Sequence, residues 1–510
     1  MRFKKYIPLL IYLLLIIGCF LIVRLTERLV EPDKEQGEEP PVSSEAVTPE
    51  SESGWQETPE PSSAVESEAE PSPESSSKEP GYPFYEKEWW EEEEETDTGE
   101  EEELYRVPVL MLASDLHYIS RKTHDGGSAF WEMVAQDDGK ISEYSDILID
   151  TLVEEAITDK PSALILTGDI TLNGERENHL GLAEKLHQVT EEGVPVLVIP
   201  GNHDIKNRNA ATYFGNQRES AEYLENAEDF FAIYHEFGYD QAFSRDEASL
   251  SYFYALDDTH WILMLDTCQY EDYNHVNGRL KPETMEWLEG YLKQAREQGI
   301  TVVSAGHHNL LSESRLYTTE CTMENHDEIV QLFEKYEIPL YISGHLHAQR
   351  IKKHKSEPGV AEDAYGIQEI VLSPYSIPPC QYGRLEWQAE GGMRFETVQA
   401  DIERFASQRE SKDEKLLQFK EYGPKYMKAI VEEQARKTLR AIPEELKDEM
   451  VELYGQLYYD YCAGNAMSWD KVSATRAYRL WEKIDPDSRY VKDMGQMIED
   501  VKQDLHDWSR

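Results

Sequence analysis

At 510 residues the chain exceeds what one ordinary hydrophobic core organises, so two or three units are expected. A formal net charge of −51 and a pI near 4.6 make it strongly acidic. Such a surface repels polyphosphate backbones, which weighs against DNA or RNA as a partner and leaves small anions to a locally positive site.

In chain order, "YIPLLIYLLLIIGCFLIV" (Tyr6 to Val23) is an unbroken apolar run of 18 residues, about 27 Å as a helix and long enough to cross a bilayer. Arg2, Lys4 and Lys5 precede it and an acidic tract follows. The positive-inside bias therefore sets the N-terminus in the cytoplasm and the rest of the chain outside the cell membrane. "IIGC" (Ile16 to Cys19) resembles a lipoprotein cleavage box with Cys19 acylated, whereas Phe20 to Val23 extend the run as an uncleaved anchor does. Both readings tether the protein. After this anchor, assigned to residues 1–30, residues 31–103 are rich in Ser, Pro and Glu and carry roughly half of the net charge. They cannot bury enough apolar surface to offset ordering entropy, so a disordered acidic linker is expected.

From Tyr105 the composition turns globular, and residues 104–400 alternate short apolar runs with amphipathic stretches in the rhythm of an α/β unit. Five runs end in polar groups. "VPVLMLASDLH" closes with Asp115 and His117, "SALILTGD" with Asp169, and "VPVLVIPGNHD" with Asn202, His203 and Asp204. "TVVSAGHH" closes with His307 and His308, and "IPLYISGHLH" with His345 and His347. The carboxyl edge of such strands is where ligands bind in α/β sheets. Gly168, Gly201, Gly306 and Gly344 precede these groups and permit tight turns with close backbone approach. Asp115, His117, Asp169, Asn202, His307, His345 and His347 supply oxygen and nitrogen donors with no thiolate, a mixture suited to Mn²⁺, Fe or Zn²⁺. Seven donors exceed one ion, so two divalent metals are implied, with the Asp169 carboxylate as the natural bridge.

Read together, "SDLH", "TGDI", "GNHD", "AGHH" and "SGHLH" resemble the calcineurin-like metallophosphoesterases over about Val107 to Ala400. Within that family "GDITLNGE" and "LSYFYALDDTHWILMLDT" are most similar to exported bacterial phosphodiesterases related to the class III cyclic-nucleotide phosphodiesterases. The resemblance implies a four-layer α/β/β/α sandwich. It puts Asp115, His117 and His347 on one metal, Asp169 between the metals, and Asn202, His307 and His345 on the other. Asn309 departs from the "HHP" of many members and leaves His308 as the other candidate in place of His307, or as a rim or substrate contact.

The expected chemistry is attack on phosphorus by a hydroxide held between the metals. His203 is the expected catalytic acid and Asp204 its orienting partner, with a loop-capping role the alternative for Asp204. The long passage Arg121 to Ser145 is expected across the mouth of the site, with His124 and Trp131 either packed within it as a lid or contacting a base or sugar, and Asn173 and His179 are further candidate substrate contacts. Beyond Asp401, apolar residues recur at three- and four-residue spacing to the end, and residues 401–510 are expected to form a helical domain. Cys268, Cys321, Cys380 and Cys462 form no C-x-x-C pair, and three disulfide pairings are open to them. The expected partner is a small anionic phosphoester. A phosphomonoesterase or nucleotidase is the alternative, and a non-catalytic binding module on the same fold is a reading of a different class. No protein partner is inferable, and a nucleic-acid polymer is disfavoured.

Overall fold

The structure, a computed structural model, describes residues 107–311, 314–354, 366–439, 442–484 and 486–510. The apolar run 6–23 and the acidic stretch 31–103 lie outside them. Among the described residues no helix is long and apolar enough to cross a membrane.

Two sheets carry the fold. The first holds β1 (Val109–Ala113), β2 (Ala163–Thr167) and β3 (Val196–Ile199), extended by β13 (Gln381–Trp387), β14 (Met393–Gln399) and β15 (Asp507–Ser509) in the order β15-β14-β13-β1-β2-β3. β1, β2 and β3 run parallel, with Leu112 opposite Ile165 and Ile165 opposite Leu197. The second holds β6 (Ser244–Arg245), β7 (Tyr252–Ala255), β8 (His260–Leu265), β9 (Thr301–Gly306), β10 (Leu340–Ser343), β11 (Arg350–Lys353) and β12 (Gln368–Val371) in the order β11-β12-β10-β9-β8-β7-β6. A separate hairpin joins β4 (Ala211–Phe214) to β5 (Gln217–Ser220).

The sequence of each strand reports its surroundings. "ALILT" of β2 is buried at every position, as a central strand covered on both faces requires. In β8, Ile262 and Met264 join the core shared with Leu110, Leu164 and Leu197 of the first sheet. Trp261, Leu263 and Leu265 point the other way, against Leu288 and Leu292 of the helix Pro282–Gln298 and Phe333 of the helix His326–Lys335. On the first sheet the helices Ser145–Asp159 and Arg176–Glu191 contribute Leu148, Leu152, Leu182 and Leu186 to the same core. The two sheets therefore face each other with helices packed outside, a mixed α/β arrangement. Each fully buried Leu of this kind is worth roughly 1.5–3 kcal/mol.

Past Asp401 the chain is helical, chiefly over Phe419–Thr438, Glu444–Ala463 and Arg489–Asp500. Their apolar faces meet Leu346, Ala348 and Val371 around the fully buried Trp481. The sequence pattern extends the last helix to the end of the chain, and here the structure differs. The helix stops at Asp500, and Asp507–Ser509 pairs antiparallel with Arg394–Glu396 of β14. The open edge of the first sheet supplies backbone partners that outweigh continuation of a helix. The described cysteines Cys268, Cys321, Cys380 and Cys462 are all free thiols, so none of the three possible disulfide pairings is present.

Candidate metal centre

All five polar strand ends meet at one edge of the two facing sheets. Asp115 and His117 follow β1, Asp169 follows β2, Asn202 follows β3, His307 follows β9, and His345 and His347 follow β10. Asp115, His117, Asp169, His345 and His347 all have left-handed backbones, with φ between +40° and +65°. That conformation costs a non-glycine residue about 1–2 kcal/mol, and its repetition here shows turns shaped to aim side chains rather than to minimise local strain. Two glycines make the close approach possible. Gly168 has φ +89°, where a Cβ would sit 2.7 Å from His307 Nδ1, and a Cβ on Gly201 would overlap the Asp169 backbone and carboxylate.

The donors form two groups sharing one atom. In the first, His117 Nε2 lies 3.1 Å from His347 Nε2, and His347 Nε2 is 3.4 Å from Asp115 Oδ1. In the second, His307 Nε2 is 3.2 Å from Asn202 Oδ1 and 3.2 Å from His345 Nδ1. Asp169 Oδ2 faces both, 3.8 Å from His117 Nε2 and 3.4 Å from His307 Nε2. Its other oxygen, Oδ1, accepts from the His203 backbone N–H at 2.8 Å. A single carboxylate oxygen, rather than two, faces both groups.

Outer partners fix the imidazoles. His307 Nδ1 donates to the Thr167 carbonyl at 2.9 Å, His345 Nε2 to the Glu320 carbonyl at 2.8 Å, and His347 Nδ1 to Asp138 Oδ2 at 2.6 Å. Each holds its ring so that the other nitrogen faces the cluster, the orientation a metal-ligating histidine needs. Burial opposes charge on Asp115 and Asp169, yet His347 beside the former and His307 and His203 beside the latter hold both carboxyls below their ordinary range. Burial also works against charge on His307 and His347, but Asp169 raises the first to about 9 and Asp138 raises the second to about 10. Burial keeps His117 well below its usual value and lowers His345 to about 4, so both offer neutral nitrogens. Two ionised carboxylates, an amide oxygen and four inward imidazole nitrogens fit two divalent ions.

His308 lies within reach of His307 and His345. Its Nδ1 is hydrogen bonded to Thr267 Oγ1 at 2.7 Å and its Nε2 to the Val276 carbonyl at 2.9 Å. Both nitrogens are engaged by these partners and the residue is fully buried, although it stands close enough to His307 and His345 to form a possible ligand group with them.

His203 projects over the cluster, its Nε2 3.9 Å from Asp169 Oδ2 and its ring edge-on to His117 at 4.8 Å. The residue orienting it is not Asp204. His203 Nδ1 meets the Leu172 carbonyl at 2.6 Å, whereas the Asp204 carboxylate accepts from the backbone N–H groups of Ile170, Thr171 and Gly201 and from the Thr171 hydroxyl. Asp204 ties the two ligand-bearing loops together. Three of the other sequence candidates fall away from the cluster. His124 stacks on Phe130 at 4.2 Å beneath the β4–β5 hairpin, and Trp131 stands beside it, half-exposed and edge-on to Phe130. His179 is buried on Tyr234, Thr171 and the Asp204 carbonyl. Asn173 does line a cavity of about 560 Å³ beside His203, with Lys140, Leu172, Asn209, Tyr213 and Arg218. A larger cavity, about 1000 Å³, lies at the opposite strand ends around His260 and Thr301 and contains none of the cluster residues.

Residues 109–349 match the family described as calcineurin-like phosphoesterase, and residues 401–504 match the C-terminal domain of cyclic nucleotide phosphodiesterase. The chain carries a calcineurin-like phosphoesterase domain. No curated protein matches it by sequence. Among solved structures it is similar to a dimetal phosphatase from Danio rerio, with 15% identity, a TM-score of 0.42, and coverage of 57% of this chain and 96% of that one. It is also similar to the purple acid phosphatase PPD1 from yellow lupin, with 14% identity, a TM-score of 0.39, and coverage of 58% and 52%.

Asp138 is the functional neighbour that sequence motifs do not reveal. It sits in the Arg121 to Ser145 passage, next to Asp137 and two residues from Lys140, in what reads as an ordinary solvated charge cluster. In the fold, Lys140 Nζ bridges Asp137 Oδ1 and Asp138 Oδ1, each at 2.7 Å.

Proposed function

We propose that this calcineurin-like phosphoesterase domain acts as a phosphodiesterase on small phosphodiesters such as cyclic nucleotides. The observation that carries the reading is the single Asp169 oxygen set between two donor groups, with His203 beside it. Two dications held by Asp115, His117, His347, Asn202, His307, His345 and the shared Asp169 would supply Lewis-acid charge and a water-derived nucleophile. The protein's own part is positioning. Asp204 holds the loops of Asp169 and Asn202 in register. The Leu172 carbonyl anchors His203 Nδ1 so that Nε2 faces the reacting phosphorus and delivers a proton to the leaving alkoxide. The match of residues 401–504 to a cyclic nucleotide phosphodiesterase domain supports diesters over monoesters.

A phosphomonoesterase is the second reading, because the same donor set serves both reactions and the walls of the cavity beside His203 decide between them. Membrane tethering through residues 6–23, with the catalytic unit outside the cell, belongs to the proposal and rests on that apolar run and the preceding Arg2, Lys4 and Lys5. The deciding experiment assays the purified protein with Mn²⁺, Fe²⁺ or Zn²⁺ against p-nitrophenyl phosphate, bis-p-nitrophenyl phosphate, and 2′,3′- and 3′,5′-cyclic nucleotides. Higher kcat/KM for the diesters is expected; a preference for the monoester overturns the assignment.

A further inference from the structure

Two of the four inward imidazoles are fixed by backbone carbonyls, those of Thr167 and Glu320. His347 is instead fixed by a side chain from outside the strand frame, Asp138 of the 121–145 passage. His117, beside it, has no hydrogen-bond partner for its buried Nδ1 among the described residues. The group made of Asp115, His117 and His347 therefore depends on Asp138 for the one outer partner of its imidazoles.

What holds Asp138 in place is the C-terminal helical region. Gln434 Nε2 donates to the Asp137 carbonyl at 3.0 Å, and the Tyr426 hydroxyl donates to the Lys140 carbonyl at 3.3 Å. Both residues lie on the helix Phe419–Thr438. Between them Gly139, at φ +110°, leaves room for Met427 of the same helix, whose Cγ would be 2.8 Å from any Cβ added there. Inside the loop, Lys140 neutralises the paired aspartates and keeps the Asp138 carboxylate turned toward His347.

We propose that Asp138 is a positioning residue for the metal bound by Asp115, His117 and His347, and that the C-terminal helices, by clamping residues 137–140, set the affinity of that position separately from the other. This rests on the two-metal reading of the centre. Loss of an outer hydrogen-bond partner to a ligating histidine typically lowers metal affinity about 10–100-fold.

The test uses the full chain, stripped of metal and titrated with Co²⁺, with stoichiometry from elemental analysis, stepwise affinities from calorimetry and the visible cobalt band as a readout of ligand geometry. The wild-type protein binds two ions. In Asp138→Ala one of the two affinities falls about 10–100-fold and the cobalt band of that position changes, while the second affinity holds. Asp138→Asn, whose amide oxygen still accepts from His347 Nδ1, falls between wild type and Asp138→Ala. Gly139→Ala, which crowds Met427 without touching a ligand, weakens the same position. Thermal unfolding of the metal-free variants confirms that they are folded, and Asp138→Asn serves if Asp138→Ala is not. Equal weakening of both positions, or unchanged binding in Asp138→Ala and Asp138→Asn, overturns the proposal while leaving the metal centre intact. Fewer than two ions on the wild-type protein overturns the two-metal reading and this proposal with it.

Discussion

The two halves of the donor cluster are built differently. Around His307 the outer partners are carbonyls at the end of β2 and in the loop at Glu320, supplied by the backbone. Around His347 the outer partner is a carboxylate on a loop that a separate helical region props up. The lesson is that the His307 group keeps one outer partner at a strand end, Thr167, whereas the outer partner of the His347 group lies wholly in a loop; the loop of Glu320 is braced by the helical region too, through Ser314 on Tyr461 and Tyr317 on Tyr458.

The sharpest break in this comparison comes at the atom the halves share. Asp169→Ala should abolish turnover, with a loss of at least about 10³-fold, and purified protein should contain less than one ion per chain by elemental analysis. His203→Ala should separate chemistry from binding: both ions remain, while kcat drops by about 10²–10⁴-fold with little change in KM. Asp204→Ala should act on stability. It strips acceptors from three backbone N–H groups and the Thr171 hydroxyl, and urea unfolding should show a loss of about 3 kcal/mol.

The smallest effect sits where the helical region joins the sheets. Glu155 accepts from the Asp401 N–H at 2.8 Å, and burial pushes its carboxyl up to about 7 despite that bond. Between about pH 4.5 and 7 the unfolded chain releases this proton while the folded protein keeps it, so the group's stabilising contribution, full below that window, is lost as pH rises through it. Glu155→Gln should flatten that slope and be about 1–2 kcal/mol more stable than wild type at pH 8, with no gain at pH 4, as read from urea midpoints.

Most of the donor cluster is legible because strand ends are local. "TGD" and "GNHD" carry both the turn and the donor, and the fold needs only to align the parallel strands for them to meet. The choice of His307 over His308 is not local: it depends on Thr267 and Val276, both more than thirty residues away, occupying the second ring. Asp204 reads as a partner of its neighbour His203, yet its carboxylate turns back to Thr171 and Gly201, since peptide N–H groups at a tight junction need an acceptor more than an imidazole already held by Leu172 does. Asp138 is invisible in sequence for the opposite reason, because an acidic pair beside a lysine is ordinary in a solvent-facing loop. The terminal residues mislead because helical spacing in "VKQDLHDWSR" does not register an unpaired sheet edge waiting at β14.

That edge pairing constrains motion. The chain leaves β14 at Gln399, runs through the whole helical region and comes back to lie alongside β14 as β15. An excursion that departs from and returns to one rib of the sheet cannot swing like a door on a single hinge. Influence of the helices on the reaction passes through fixed contacts on residues 137–140, the hydrogen bonds of Gln434 and Tyr426 and the packing of Met427, and peeling the helices away would unzip the border of the sheet that carries Asp115 and Asp169.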